Sequence, residues 1–392
     1  MQRLNVNARP DYLARLAEAG CNFPTMYGQP YMAETLPQPA AYRLTSREVD
    51  AITAATRELH QIGLAVVDHA VHNQEAMELL GIPNGFADLV AASWKRRDPD
   101  LYQRLDLCFD RRDRQYKMFE FNGDTPTGVV EMNANLRWWE DAHTMGIIGK
   151  DTDVFNDFRY HLTERFSRLK REVIGNHVMH FSSVRENDEE EGTVKFLRAC
   201  ADDAELHTNF LYLDEIRAVD SHDLIDLENA RLDYLFKLYP WEDMTVGEFA
   251  EDFRDNTTCA IMEPIWKMVW SNKAFLPLAW KLFPNHPNLL PAYMEGDAGC
   301  ASLKNVIRKP QWGREGQNMQ VIVDGKIVHE NGGCYGDDAM IIQEHIRMPC
   351  YFGKYPIIGS WVVNDQPAGV LIREDSNPIT GNLSACVPTF IQ

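Results

Sequence analysis

Two clusters of polar residues, far apart in the chain, have the types and spacing of a site for a charged phosphate compound. The first contains Arg104, Asp106, Glu120 and Asn122. Carboxylate and carboxamide oxygens are the ligands that Mg²⁺ prefers, and Mg²⁺ commonly completes its shell with water and substrate phosphates. The alternative is a solvated polar face of a hairpin, with Arg104 in a simple salt bridge. The nearby arginine, which can stabilise charge on a phosphoryl group, favours a site.

The second cluster is Lys309 followed by a loop that contains Gly313 and Gly316. Such glycines allow the backbone to approach a phosphate closely. Lys273, before an apolar stretch, and Arg373, at the end of a predicted strand, are further candidate cations. A lone lysine is usually an ordinary surface residue, so each of these signals is weak alone. The Walker and Rossmann glycine patterns are absent.

The first cluster requires a β-hairpin. Residues 101–109 and 116–122 alternate between apolar and polar side chains, which predicts two strands with the cluster on one face. Thr125-Pro126 then predicts the start of a helix. The free N–H groups of such a helix end would attract an anion.

The acidic run Asp188 to Glu191 lies between predicted strands 178–184 and 209–213. With a helix that begins at Asp188, this segment predicts a βαβ unit, and ligands of α/β sheets bind beyond the carboxyl ends of strands. The alternative is that these acids only complement the helix dipole, and we expect this for at least one of the three glutamates. Apolar runs at 306–309 and 319–323 predict that the glycine loop connects strand to strand. Helices are predicted to begin at Ser46 and to cover residues 154–174.

Composition excludes several classes of function. The 392 residues carry a formal charge of −19, so a nucleic acid partner is not expected, whereas a cationic substrate would be attracted. There is no signal-peptide pattern and no run long enough to cross a membrane. The eight cysteines are scattered and form no Cys-x-x-Cys pair. These features predict a soluble cytoplasmic protein with no membrane partner.

The ordered motifs resemble those of the glutathionylspermidine synthase family, over roughly residues 10 to 390. The motifs are Arg104-x-Asp106, Phe119-Glu120-Phe121-Asn122-x-x-Thr125-x-Thr127, Ser271-Asn272-Lys273 and Lys309-Pro310-x-x-Gly313-Arg314-x-Gly316-x-Asn318. The resemblance implies an α+β fold of a permuted ATP-grasp type, with a preceding α/β pre-ATP-grasp region. We expect a mainly helical region at 1–100 packed on the core. A metal-binding hairpin with an α/β substrate region would follow at 101–260, and a nucleotide-binding region with a glycine-loop lid at 261–392.

The resemblance also implies a role for each site residue. Arg104 and Arg373 would stabilise the reacting centre. The expected ATP contacts are Lys273, Lys309, Gly313, Arg314, Gly316, Asn318 and the adenine-contacting hinge Gln343-Glu344. The expected Mg²⁺ ligands are Asp106, Glu120 and Asn122. Thr125 and Thr127 would hold the acid substrate, and Glu190 and Glu191 the amine.

The implied activity is a C–N ligase that uses ATP and Mg²⁺ to join a small acid to a small amine through an acyl phosphate. The family suggests a glutathione-like peptide and a polyamine-like amine. Only about a hundred residues precede Arg104, so the amidase activity of bifunctional members is not expected. Two alternatives remain open: a regulatory protein that binds ATP or polyamine without turnover, and a kinase that stops at the acyl phosphate.

Overall fold

Three sheets carry the residues singled out above, and helices pack around them. The structure is a computed structural model that describes residues 1–83, 85–219, 222–256 and 258–392. In that part of the chain the helices, α1 to α11, are Tyr12–Glu18, Ser46–Val71, Gln74–Leu79, Ala87–Arg96, Val129–Thr144, Phe158–Leu169, Asp188–Asp203, Trp241–Met244, Ala250–Asp255, Met268–Ser271 and Phe275–Leu282. None of these helices combines the length and apolar character needed to cross a bilayer.

The described strands, β1 to β21, are short except for those at the centre of the molecule. They are Gln2–Asn5, Thr25–Met26, Gln29–Pro30, Ala40–Leu44, Tyr102–Asp110, Gln115–Asn122, Val178–Ser183, His207–Tyr212, Arg217–Ala218, Leu224–Ile225, Tyr234–Lys237, Ala260–Met262, Ala292–Met294, Val306–Pro310, Gln320–Val323, Lys326–Glu330, Met340–Glu344, Tyr355–Val363, Gln366–Asp375, Ala385–Val387 and Thr389–Ile391.

The central sheet is antiparallel, with the order β20-β19-β18-β5-β6. The hairpin predicted from the first cluster is β5 and β6, so that prediction is confirmed. Its register pairs Asp106 with Glu120 and Arg104 with Asn122. Because β18 and β19 come from the end of the chain, this sheet joins strands from the regions expected at 101–260 and 261–392.

Two further sheets flank the site. The parallel sheet has the order β12-β11-β7-β8, and its β7-α7-β8 segment is the predicted βαβ unit. The glycine-loop sheet is antiparallel, with the order β13-β17-β14-β15-β16. Its glycine loop connects β14 to β15, strand to strand, as predicted. A smaller sheet, β1-β4-β21, brings the two ends of the chain together.

The first hundred residues contain the expected helices and also strands. Helix α2 is capped by Thr45, whose hydroxyl accepts a hydrogen bond from the Glu48 N–H (3.3 Å), while the Glu48 carboxylate accepts one from the Thr45 N–H (2.9 Å). The helix begins at Ser46, as predicted, and its capping residue is Thr45. Strand β4 pairs with β1 on one side and with the chain's last strand, β21, on the other, so this region is not purely helical.

The helix predicted to start at Thr125-Pro126 begins later, at Val129. Residue Gly128, at φ 106°, precedes it, so Thr125 and Thr127 lie in a loop that we call the signature loop, residues 123–128. A side chain at position 128 would meet the Leu371 side chain at 3.0 Å, so the loop is packed directly on the central sheet. The helix predicted over 154–174 is α6, which continues in a π-helical turn, Lys170–Ile174, and ends before Gly175.

A buried ion pair anchors the signature loop to the parallel sheet. Asp124 and Lys237 are both fully buried, and the Lys237 Nζ lies 2.6 Å from the Asp124 Oδ1. The other Asp124 oxygen accepts a hydrogen bond from the Trp241 N–H at 2.9 Å. Removing one member of such a pair leaves an uncompensated charge in a medium that solvates it poorly.

We therefore expect Lys237→Met to lower the free energy of unfolding by about 3–5 kcal/mol. The matched control is Lys195→Met, which removes a lysine from an exposed i,i+4 pair with Glu191 and should cost under about 1 kcal/mol. Urea unfolding of both variants checks the difference. Similar losses in the two variants would contradict a structural role for the buried pair.

Candidate functional site

A cavity of about 340 Å³ lies where the three sheets meet. It is lined by most of the residues singled out from the sequence: Arg104, Asp106, Glu120, Asn122, Thr125, Thr127, Glu190, Lys273, Lys309, Gly313, Arg314, Gly316, Glu344 and Arg373. The early hairpin and the late basic residues therefore face one shared space. Their separate roles remain predictions.

Asp106 is the centre of the charge arrangement. Its Oδ1 accepts a hydrogen bond from the Arg104 Nε at 2.8 Å, and its Oδ2 accepts one from Arg373 at 2.7 Å and a longer one from the Asn122 amide at 3.3 Å. Burial raises the pKa of Asp106, but the two guanidinium groups outweigh burial, so the net pKa shift is downward. The carboxylate is therefore held in its charged form.

A glycine that sequence reasoning missed makes this arrangement possible. Gly359, in β18, is directly opposite Asp106 in β5. A Cβ at this position would lie 2.8 Å from the Arg104 Cδ. Only a residue without a side chain leaves this room beside Arg104. The strand pattern of β18 gave no signal of this, because the crowding comes from a neighbouring strand.

The lysines lie close to the carboxylates of the hairpin. The Lys273 Nζ is 2.6 Å from the Glu120 Oε1, and it also donates to the Gly313 carbonyl. The Lys309 Nζ donates to the Phe119 carbonyl (2.8 Å) and to the Gln343 Oε1 (2.7 Å). Burial, reinforced by the charge of Lys273, lowers the pKa of Lys309 to about 7 against the opposing effect of Glu120 and Asp106.

The glycine loop closes over the cavity through Arg314. The guanidinium group donates to the Thr125 hydroxyl at 3.0 Å and to the Glu242 carboxylate at 2.5 Å. Gly316 has φ 69°, and a Cβ there would lie 2.5 Å from the Thr380 carbonyl oxygen. The loop is thus tied to the signature loop on one side and packed against the C-terminal segment on the other.

Three of the expected site residues do not line the cavity. Gln343 is buried and is held by Lys309 and the Met118 carbonyl. Asn318 accepts a hydrogen bond from the Tyr335 N–H at 2.8 Å. Glu191 pairs with Lys195 and accepts a hydrogen bond from the Tyr212 hydroxyl.

Glu189 lines the cavity beside Glu190, whereas Glu191 lies outside it. The buried face of α7 includes Thr193 and Val194. Counting back one helical turn from these two residues gives Glu189 and Glu190. The helical period of the sequence could therefore have identified Glu189 and Glu190 as the glutamates on the inner face. Glu191, four residues before Lys195, lies on the outer face.

The oxygen donors fit a Mg²⁺ ion that is completed by phosphate oxygens. Asp106, Glu120 and Asn122 supply two carboxylates and a carboxamide at neighbouring register positions, and all three line the cavity. In the described part of the chain, no group of three or more His, Cys, Asp or Glu side chains is arranged to hold a metal. Mg²⁺ is usually bound by one or two carboxylates together with substrate phosphates, and the Mg²⁺ role of these side chains stays a prediction.

Comparisons with known proteins identify the family of this chain. The family described as "Glutathionylspermidine synthase preATP-grasp" matches residues 3–392. A Haemophilus influenzae protein, named provisionally as an acid–amine ligase, is 33% identical over 97% of each chain. The trypanothione synthetase of Crithidia fasciculata is 27% identical over 83% of this chain, which spans only 52% of that protein.

The fold is also found in a solved structure. The glutathione synthetase-like effector GSS30 of Globodera pallida has a TM-score of 0.55, with 98% of this chain and 100% of that chain covered. The sequence identity is 10%, so this likeness concerns the fold alone. The predicted α+β, ATP-grasp-related fold is confirmed. Because the family match covers nearly the whole length, the chain belongs to the glutathionylspermidine synthase family.

Proposed function

We propose that this protein is an ATP-dependent acid–amine ligase that forms an amide bond through an acyl phosphate. The observation that carries the proposal is the convergence of Asp106, Glu120, Lys273, Lys309 and Arg373 on one cavity. Its relatives are named as an acid–amine ligase and a synthetase, which supports the same reaction class. By analogy with the family name, the acid would be glutathione-like and the amine polyamine-like.

The first step joins the acid to phosphate. A carboxylate oxygen of the acid attacks the γ-phosphorus of ATP, the bond to the β-phosphate oxygen breaks, and ADP leaves. Arg104 and Arg373 offer positive charge where the transferring phosphoryl group would develop negative charge. Thr125 and Thr127 would orient the acid, since positioning supplies much of the rate in phosphoryl transfer.

The two lysines and the glycine loop would hold the triphosphate. Lys273 pairs with Glu120, and Lys309 lies near Glu120 and Asp106, so cationic and anionic groups line the same cavity. Asp106, Glu120 and Asn122 would hold Mg²⁺, which neutralises phosphate charge when bound. Glu344, at the end of β17, lines the side of the cavity where the adenine would lie.

The test is ADP release with glutathione and a panel of other acids, each with spermidine and other amines. Steady release that requires both an acid and an amine supports the ligase. Tight ATP binding without release in any combination would indicate a binding protein. Trapping of an acyl phosphate by hydroxylamine, with no amide from any amine, would indicate a kinase that stops at the acyl phosphate.

Lys309→Met and Asp106→Asn should each lower kcat/KM by about 100- to 1000-fold, which corresponds to about 3–4 kcal/mol of lost electrostatic stabilisation. Lys304→Met is the control, because Lys304 is exposed and pairs only with Asp324 in the described structure. Ligation at the wild-type rate by either site variant would contradict the proposed site.

Nucleotide binding should also take up a proton near pH 8. Lys309, with its pKa lowered to about 7, is mostly neutral at that pH, and a bound triphosphate would raise its pKa and charge it. Calorimetry with a non-hydrolysable ATP analogue and Mg²⁺, in buffers of different ionisation enthalpy, measures this uptake. Lys309→Arg, which stays charged, should bind without it. Equal uptake in both proteins would rule out Lys309 as the group that titrates.

A further inference from the structure

The cavity has an acidic end that the phosphate chemistry does not use. Glu189 and Glu190 lie in the first turn of α7, and Tyr31 lines the same region. Lys309 and Glu344, which also line the cavity, are instead neighbours of its lone histidine, His345. In the proposed reaction this acidic end is where a cationic amine would enter.

The two acidic side chains have different neighbours. Glu189 interacts with the Thr127 hydroxyl and with the charges of Arg104 and Arg373, the groups proposed to surround the reacting acid. Glu190 interacts with Arg314 and, like Glu189, with Glu315 of the glycine loop. Glu189 is therefore the carboxylate nearer the acyl carbon that the amine must attack. Glu190 is positioned to pair with a second positive charge of the amine, farther from that carbon.

A third carboxylate lies behind Glu189. Glu131, in the first turn of α5, is fully buried, and its Oε1 accepts a hydrogen bond from the Tyr31 hydroxyl at 2.6 Å. Its Oε2 has no hydrogen-bond partner within the described structure. Burial, followed by the charge of Glu189, raises the pKa of Glu131 to about 7. Burial likewise raises the pKa of Glu189.

The proposed ligase reaction needs a proton acceptor at this place. An alkylamine is protonated near neutral pH and has no free lone pair to attack a carbonyl. Arginine cannot accept a proton because it is always charged in proteins. A carboxylate whose pKa is raised towards the working pH is a much better base than an exposed one. Burial and a like-charged neighbour, both present at Glu189, are the conditions that produce such a base.

We propose that Glu189 is the catalytic base that deprotonates the amine, with Glu131 as the buried carboxylate whose charge and that of Glu189 repel each other. This inference rests on the proposed ligase function. Glu189 takes one proton from the ammonium nitrogen, and the freed lone pair forms the C–N bond at the acyl carbon. The bond between that carbon and the phosphate oxygen breaks, and the second proton leaves with the phosphate.

The charged and titratable groups that face this pair come from several elements. They are Glu315 of the glycine loop, Arg104 of β5, Arg373 of β19, Glu190 of α7, and Tyr31, Cys21 and Cys386. The arginines oppose proton uptake by Glu189, whereas Glu315 favours it. Arginines keep their charge at all working pH values, so the acids of this cluster set the pH dependence.

The test compares two nucleophiles in the presence of ATP, Mg²⁺ and glutathione. Spermidine is protonated at pH 8 and needs a base, whereas hydroxylamine is mostly unprotonated and does not. Glu189→Gln should lower amide formation with spermidine by at least about 100-fold while hydroxamate formation stays within about threefold. Asp188→Asn, an exposed acid in the same helical turn, should match the wild type with both nucleophiles.

Three outcomes would overturn the inference. One is spermidine ligation by Glu189→Gln at the wild-type rate. Another is a parallel loss of both products, since a base for the amine alone cannot affect hydroxylamine. The third is a wild type that makes neither product, which would overturn the proposed function itself and so is distinguishable from a failure of the base.

A pH profile gives a second readout that a merely structural role would not move. Wild-type kcat with spermidine should fall as the pH decreases and Glu189 becomes protonated. Glu131→Gln removes the negative neighbour, keeps an oxygen for the Tyr31 hydroxyl, and should shift this fall to lower pH. An unchanged profile in Glu131→Gln would contradict the role given to Glu131.

Discussion

Compensation of buried charge is the constraint on which the site depends. Asp106 is buried, and such a carboxylate is costly unless it is paired and hydrogen-bonded. Arg104 and Arg373 bind its two oxygens from neighbouring parts of one sheet. Gly359 leaves the space beside Arg104 that this pairing needs. The strand order of the central sheet makes this pairing possible. It places β5, which carries Arg104, and β19, which carries Arg373, on either side of β18.

The same principle extends along the cavity. Lys273 and Glu120 pair across two elements, and Asp124 and Lys237 pair behind the signature loop. Each pair connects segments that are more than a hundred residues apart. The site therefore exists only in the folded protein. Each pair helps to keep the site rigid, because the loss of one partner would leave a buried polar group unsatisfied, at a cost in free energy.

The two ends of the cavity differ in the charged groups that line them. At the phosphate end, lysines and arginines balance the carboxylates, and Lys309 is the group with a strongly lowered pKa. At the acidic end, burial raises the pKa values of Glu189, Glu190 and Glu131, although nearby arginines oppose this. An anionic nucleotide and a cationic amine would thus be drawn to different ends of one cavity.

The sequence by itself determined the hairpin, the βαβ unit, the strand-to-strand glycine loop and the family. These features depend on local periodicity and on short ordered motifs. Such patterns can be recognised in the sequence without knowing which residues meet in the fold. Only the tertiary structure decided that residues 123–128 form a loop before the helix begins at Val129, and that Gln343 binds Lys309. It also revealed Gly359 and Glu131. Such features depend on which side chains from distant segments meet and exclude water, and one-dimensional spacing does not encode that contact.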